Sequence, residues 1–239
     1  MKNLLIIFAL SLMLIGCSGL TDLAQNSLYP FEQVEKNNPS PPIGQGYYPE
    51  IDLNGIHGYV HRSPASRSKY VVVYLQGNGE NLPAIVPLLN IFNTLDLSFV
   101  AIDYPGMGHS KGIPSEATLV AAAKSAIAFA RVNFPDHELI LWGRSLGAGV
   151  AFQAYGPMVN KLIITSGWTS FERAAKDVSP LGRFISKEFI EKNKYDSLTA
   201  IKKVGGHTLI MHGTKDKVIP FQHGKDLAYA SVADTVFLP

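Results

Sequence analysis

The sequence predicts an α/β domain with a mostly parallel sheet and helices on both of its faces. From residue 70 onward, short apolar runs rich in β-branched residues alternate with longer segments of helical character, which is typical of repeated β-α-β units. The first of these runs, Tyr70–Leu75, is apolar throughout, as expected for a strand buried on both faces of a parallel sheet.

An antiparallel hairpin is predicted before the first parallel strand. Asn54 and Gly55 separate the runs 48–53 and 56–60, and this pair favours a two-residue type I′ turn. Ligands bind at the carboxyl ends of the strands in such sheets, so we expect the chemistry in the turns that follow them. Further strands are expected at 98–102, 139–142, 162–165, 208–211 and 235–238, and helices at 82–95, 115–133, 146–155 and 221–230, with a mixed helical segment at 171–204.

Composition and the absence of certain motifs limit the classes of function that are expected for this chain. The chain has 239 residues, is 46% hydrophobic and carries a net charge of +2. It has no block of like charges, so nucleic-acid binding is not expected. The sequence contains no H-E-x-x-H, no cysteine cluster and no complete nucleotide-binding glycine fingerprint. We therefore expect neither a metal nor a cofactor.

The first residues predict a targeting segment. Lys2 precedes an apolar run at 4–15, which has the length of a signal-peptide core and is short for a membrane span. The run ends at Gly16 and Cys17, the single cysteine of the chain, and resembles the signal of bacterial lipoproteins. An ordinary signal peptide, or an uncleaved anchor with an incidental cysteine, is the alternative.

The lipoprotein resemblance implies a domain organisation and a location. Residues 1–16 would be the cleaved signal, and 17–46, polar and proline-rich, a lipidated tether, either free or partly packed on the domain that follows at 47–239. Cys17 would anchor the protein in the bacterial cell envelope. Because Ser18 is not aspartate, sorting to the outer membrane is expected in a Gram-negative host.

A catalytic serine is predicted after the strand at 139–142. Residues 143–147 read Gly-Arg-Ser-Leu-Gly, a G-x-S-x-G pentapeptide. In this motif a sharp turn between a strand and a helix lifts the serine above the sheet. The helix that follows is rich in small residues. Ser145 is therefore the expected nucleophile, and a structural turn with a capping serine is the alternative.

Several motifs, in order, resemble the α/β-hydrolase superfamily over residues 51–239. The similarity is to compact serine hydrolases that include depalmitoylating thioesterases and relatives of the prolyl oligopeptidase catalytic domain. It rests on Gln-Gly-Asn-Gly-Glu-Asn-Leu at 76–82, the glycine-rich loop at 103–112, Ser-Gly-Trp-Thr-Ser-Phe at 166–171 and His-Gly-Thr-Lys-Asp-Lys-Val-Ile-Pro at 212–220.

The resemblance implies a function and a set of site residues. Ser145 would attack an ester, a thioester or a peptide bond of a small-molecule or acylated substrate and form an acyl-enzyme. The backbone N–H groups of Asn78 and Leu146 would hold the oxyanion, and Asp216 would orient a histidine. Met107 and Trp168 would line the substrate pocket, although an aromatic such as Trp168 is often plain core packing. Asp103 and His212 would be structural.

The histidine base is not found where the resemblance implies it. Triad order in this fold is serine, acid, histidine, and the histidine after Asp216 is His223, too early for the loop after the last strand. Residues 235–239 resemble that strand, so we expect the histidine a few residues beyond Pro239, followed by a last covering helix absent from this chain. We interpret the chain as C-terminally truncated. The alternative is a catalytically inactive lipoprotein that uses the fold for binding.

Overall fold

The computed structural model describes residues 17–64 and 68–239. The signal predicted at 1–16 lies outside the described residues. The helices are α1 (Cys17–Leu28), α2 (Phe31–Asn37), α3 (Leu82–Thr94), α4 (Glu116–Asn133), α5 (Leu146–Ala154), α6 (Phe171–Val178), α7 (Lys187–Lys192), α8 (Ser197–Ala200) and α9 (Phe221–Ala230). The strands are β1 (Glu50–Asp52), β2 (His57–His61), β3 (Tyr70–Leu75), β4 (Ser98–Ile102), β5 (Glu138–Arg144), β6 (Lys161–Thr165), β7 (His207–Met211) and β8 (Thr235–Leu238). Short 3₁₀ helices occupy Pro180–Phe184 and Ile201–Lys203.

The eight strands form one sheet in the order β1-β2-β4-β3-β5-β6-β7-β8. β1 pairs with β2, and β2 with β4, in antiparallel fashion, and all other pairs are parallel. The turn between β1 and β2 places Asn54 and Gly55 at positive φ, 58° and 89°, as a type I′ turn requires. The predicted mostly parallel sheet with an antiparallel hairpin is confirmed.

Helices cover both faces of the sheet. Alternate residues of β3 point to opposite sides. Val71 and Val73 join the larger core, which contains buried residues of α4 and α5. Val72 and Tyr74 join a second core that includes the buried residues of α3. The unbroken apolar sequence of β3 therefore reflects burial on both faces.

In the structure, most of the segment expected to be a tether is helical and packs on the domain. α1 and α2 fold back onto the domain, and Ala24, Leu28, Phe31 and Val34 are buried in the larger core. The apolar pairs are spaced by four residues in α1 and by three in α2, which places each pair on one helix face. The ring of Phe31 stacks on that of Tyr104 at 6.1 Å between centroids. Residues 17–37 are thus packed structure, because their apolar faces find partners on the domain.

Within residues 17–64 and 68–239, no helix is long and apolar enough to cross a membrane.

Candidate active site

The turn at Ser145 has the strained geometry that its sequence predicts. Ser145 adopts φ 52° and ψ −115° between β5 and α5, a backbone region that non-glycine residues seldom occupy. A Cβ on Gly143 would lie 2.2 Å from the carbonyl oxygen of Gly147, and one on Gly147 would lie 2.0 Å from that of Leu75. Both positions therefore require glycine, and the tight turn holds the serine at the carboxyl end of β5.

Three successive strand ends form a row along the carboxyl edge of the sheet. The N–H of Ser145 donates to a carbonyl of β6 at 2.9 Å, that of Ser166 to β7 at 2.9 Å, and that of His212 to β8 at 3.0 Å. The residues that directly follow β5, β6 and β7 are therefore neighbours. This row brings the predicted nucleophile and the loop that carries the predicted acid to the same edge.

Asp216 is held as an ionised carboxylate. Its Oδ1 accepts hydrogen bonds from the N–H groups of Val218 at 2.8 Å and Ile219 at 2.9 Å, and its Oδ2 lies 3.7 Å from His212 Nε2. Partial burial alone would raise the pKa of Asp216, but the hydrogen bonds from Ile219, Val218 and Ser166 outweigh burial and lower it. The group is suited to stabilise a nearby cation such as an imidazolium.

The predicted oxyanion donors lie beside the serine. Leu146 is the first residue of α5, so its N–H has no acceptor within the helix. The loop before α3 runs against the nucleophile, since a Cβ on Gly77 would lie 3.5 Å from Ser145 Cβ. Asn78, the next residue, lines the same cavity as Ser145. The arrangement leaves two backbone segments positioned around a carbonyl bound at Ser145.

An ion pair that sequence reasoning missed fixes this loop to the nucleophile turn. Glu80 accepts a hydrogen bond from the N–H of Gly77 at 3.1 Å and pairs with the guanidinium of Arg144. Burial alone would lower the pKa of Arg144, but the Glu80 carboxylate raises it. The signal was present in the sequence as opposite charges in the two catalytic motifs.

An apolar cavity of about 250 Å³ opens at Ser145. Trp168 lines it, as predicted, but Met107 does not: Met107 is buried in the larger core, and its N–H donates to the carbonyl of Tyr104 in a tight turn. The prediction for Met107 is therefore wrong, because this turn directs the side chain into the core. The lining comprises Leu23, Ala24, Ser27, Leu28, Asn78, Ser145, Trp168, Phe171, Ala174, Ala175, Val178, Ser179, Leu181, Gly182, Ile185, Val218 and Ile219.

α1 supplies one wall of this cavity, which the sequence did not predict. Leu23, Ala24 and Leu28 all line it, and Asn78 Nδ2 donates to the carbonyl of Ser27 at 3.0 Å. Asn78, whose N–H is predicted to hold the oxyanion, therefore contacts α1 with its side chain. The four-residue spacing of Ala24 and Leu28 was the signal available in the sequence.

Among the described residues, no histidine hydrogen-bonds the hydroxyl of Ser145, although all seven histidines of the chain are described. His223 is buried, its Nδ1 accepts from the N–H of Thr169 at 3.1 Å, and burial lowers its pKa. His212 donates from Nε2 to the carbonyl of Ile219, in the structural role expected of it. The other five contact Glu50 (His57), Phe99 (His61), the carbonyl of Pro41 (His109), Phe134 (His137) and Asp234 (His207).

The residues that the structure describes do not form a metal site. In the ranges 17–64 and 68–239, no three His, Cys, Asp or Glu side chains are grouped so that they could hold one ion.

Comparison with known proteins agrees with this geometry. A sequence profile of the family described as "Serine aminopeptidase, S33" matches residues 66–195. The uncharacterized protein YfhR of Escherichia coli K12 is 28% identical over 171 residues, 69% of this chain and 58% of YfhR. Protein bem46 of Schizosaccharomyces pombe is 25% identical over 229 residues, 89% of this chain and 76% of bem46. The lysophosphatidylserine lipase ABHD12 of Bos taurus is 28% identical over 68% of this chain and 45% of its own length. The chain thus spans less than two thirds of YfhR and of ABHD12.

Solved structures share the fold. The esterase Pf2001 of Pyrococcus furiosus superposes with a TM-score of 0.66 at 15% identity, covering 84% of this chain and 88% of the esterase. Est1E of Butyrivibrio proteoclasticus, with ferulic acid bound, superposes with a TM-score of 0.64 at 17% identity, covering 80% of this chain and 89% of Est1E. At these identities the likeness concerns the fold.

Proposed function

Because the chain belongs to the family "Serine aminopeptidase, S33" of the α/β-hydrolase superfamily, we propose that it is a serine hydrolase that cleaves esters or thioesters of apolar acyl groups. The observation that carries this proposal is the strained turn of Ser145 opening onto an apolar cavity. Family membership supports a hydrolase, and the cavity supports the class of substrate.

The lining argues against an aminopeptidase substrate. An enzyme that selects a free amino terminus needs an acidic side chain to pair with the ammonium group, since burying an unpaired charge is costly. None of the described residues that line the cavity is charged. An apolar acyl group, by contrast, gains from leaving water in such a site. Peptide cleavage is therefore the least supported of the three predicted bond types.

The proposed reaction proceeds through an acyl-enzyme. Ser145 Oγ attacks the carbonyl carbon, and the N–H groups of Leu146 and Asn78 stabilise the oxyanion, each contributing about 3 kcal/mol. The alcohol or thiol then leaves, and water hydrolyses the acyl-serine. The hydroxyl proton needs a base, and ionised Asp216 is placed to support an imidazolium. The histidine predicted beyond Pro239 stays a prediction.

Covalent labelling tests the nucleophile directly. We expect the full chain, supplied with free imidazole in place of the base, to react with a fluorophosphonate probe at Ser145 and the Ser145→Ala chain not to react, with unchanged circular dichroism. Ser27→Ala is the matched control, because Ser27 lines the same cavity and its contact to Asn78 uses a backbone carbonyl. Labelling that persists in Ser145→Ala would show that another residue is the nucleophile.

A binding protein without catalysis is the second proposal, favoured by the lack of a histidine on Ser145 among the described residues. Free imidazole distinguishes the two. If the site is catalytic and lacks only its base, added imidazole should hydrolyse p-nitrophenyl butyrate faster with wild type than without protein, whereas Ser145→Ala should show only the rate of imidazole alone. A chain that is inert to the probe and to imidazole, yet binds fatty acids, would support the binding protein.

We also propose that Cys17 carries a lipid that anchors the protein in the bacterial envelope. The support is the lipoprotein-like sequence before Cys17. Globomycin should leave a larger precursor, and Cys17→Ala should change membrane attachment. Unchanged processing and attachment in Cys17→Ala would contradict lipidation.

A further inference from the structure

The mouth of the cavity is surrounded by exposed apolar side chains. Leu23 is 50% exposed, Val178 53%, Leu181 39%, Phe184 63% and Val218 65%. Four of them line the cavity, and Phe184 follows Leu181 within the same 3₁₀ helix. We call these five residues the cavity rim. Single exposed apolar residues are common on proteins, but a group gathered around one opening marks an interaction site.

Basic side chains accompany the rim. Arg183, Lys187, Lys215 and Lys217 are exposed and stand next to or close to rim residues in the chain. None of these four forms an ion pair with another described residue. Two acids accompany them, Asp22 beside Leu23 and Asp216 between Lys215 and Lys217, so the four basic residues outnumber the acids by two. The acidic residues of α6 and α7 have partners instead, in the pairs Glu172–Lys176, Asp177–Arg173, Glu188–Lys192 and Glu191–Lys194.

We propose that the cavity rim docks on the surface of an anionic lipid bilayer. Apolar side chains at the edge of an opening can enter the headgroup boundary, while lysine and arginine beside them contact anionic headgroups. The net positive charge around the rim favours this occupant over a neutral apolar protein surface. Docking in this way points the cavity mouth at the lipid.

The position of α1 agrees with this orientation. Leu23 lies six residues after Cys17 on the same helix, which corresponds to about 9 Å along the axis. Cys17, the residue proposed to carry a lipid, begins that helix. The helix that starts at the proposed membrane attachment therefore also contributes to the rim.

Docking has a consequence for the substrate, and this step rests on the proposed function. An acyl chain could pass from the bilayer into the cavity and reach Ser145 without crossing water, which avoids exposing its apolar surface. The substrate class would then be lipids whose acyl ester is presented at a membrane surface. The docking itself does not depend on catalysis.

Tryptophan quenching tests docking in the full chain. The chain is reconstituted into vesicles of phosphatidylglycerol and phosphatidylcholine with brominated acyl chains, as Phe184→Trp and, as matched control, Tyr229→Trp. Tyr229 is 95% exposed and lies near the end of α9. Trp142 and Trp168 contribute equally to both variants. We expect the emission added at position 184 to be lost to bromine and that at 229 to be retained.

Charge reversal tests the choice of an anionic bilayer. In the Phe184→Trp chain, Arg183→Glu with Lys187→Glu should restore the added emission, as should vesicles of phosphatidylcholine alone. Lys124→Glu with Lys202→Glu, at exposed positions elsewhere, should not. Equal quenching at 184 and 229, or no quenching at 184, would overturn docking. Quenching that is unchanged by charge reversal and by lipid charge would contradict the choice of an anionic bilayer.

The outcome is independent of the proposed function. Ser145→Ala should show the same quenching at position 184 as the chain with its serine. A failed labelling experiment with intact quenching would reject the hydrolase and keep the docking surface, and the reverse pattern would do the opposite.

Discussion

The nucleophile turn and the N-terminal helices border the same cavity but are specified in different ways. The turn is set by sterics within residues 143–147, where a Cβ on Gly143 would lie 2.2 Å from the carbonyl oxygen of Gly147. α1 and α2 are held by residues distant in sequence, as when the Tyr29 hydroxyl contacts Asn193 at 2.6 Å and Tyr195 at 2.8 Å. A local constraint can be recognised in a pentapeptide, whereas a docking contact is visible only once the fold brings both partners together.

The largest expected effect comes from a substitution in the nucleophile turn. Gly143→Ala would place a Cβ 2.2 Å from the carbonyl oxygen of Gly147, so the turn between β5 and α5 would have to open. We expect a loss of about 4 kcal/mol or more in the free energy of unfolding, measured by urea denaturation. Gly156→Ala is the control, since its Cβ would meet nothing within 4 Å. Equal stability of the two variants would refute the steric account.

Leu28→Ala tests the packing of α1 on the domain. Leu28 is buried in the larger core, so truncation should lower the free energy of unfolding by about 2–4 kcal/mol. Leu23→Ala, at a half-exposed position of the same helix, should cost much less. If the segment were a tether after all, the two denaturation curves would coincide with that of the wild type.

A buried carboxyl beside α2 should make stability depend on pH. Burial raises the pKa of Asp103 to about 7; the hydrogen bond from the Leu82 N–H opposes this shift, and Glu35 of α2 adds to it. The folded state therefore keeps a proton that the unfolded chain releases near its ordinary pKa of 3.8. Stability should fall as pH rises through this window, by on the order of 2 kcal/mol between pH 5 and 7.

Asp103→Asn isolates that contribution. The variant keeps an acceptor for Leu82 but cannot ionise, so its stability should change less over the same pH range. Asp136→Asn, at an exposed position, should retain the wild-type slope. Denaturation midpoints at pH 5 and 8 measure both, and parallel slopes in wild type and Asp103→Asn would assign the pH dependence elsewhere.

The smallest effect concerns the hydrogen bond that joins α1 to the loop beside the nucleophile turn. Asn78→Ala removes the hydrogen bond from Nδ2 to the carbonyl of Ser27, and we expect it to cost about 1 kcal/mol or less. The loss should be local, so hydrogen exchange should accelerate at the amides of α1 more than at those of α5. Uniform exchange across both helices would show that this bond does not hold α1.

Periodicity predicted the fold because the signals are local. The apolar run of β3 and the Asn54-Gly55 turn each specify their own conformation. α1 and α2 were missed because polar residues and prolines dominate 17–46, and the apolar faces of these helices are short. Their stability comes from packing on residues such as Tyr104, which no local pattern discloses.

The site was predicted in part for a similar reason. Motif spacing located Ser145 at a strained turn and Asp216 at the same sheet edge, and Trp168 lines the cavity. Met107 failed because a loop motif does not reveal which way its side chains turn. The Glu80–Arg144 pair and the wall from α1 were missed because each needs two distant segments in contact.

The docking of α1 also orders events in time. The segment that is synthesised first finds its partners on residues made more than 160 positions later, as the contact of Tyr29 with Tyr195 shows. Contacts between residues so distant along the chain form late in folding, because the entropy cost of closing a long loop comes before the stabilisation that the contact gives. The wall that α1 adds to the cavity at Ser145 is therefore completed only after Tyr195 has been made.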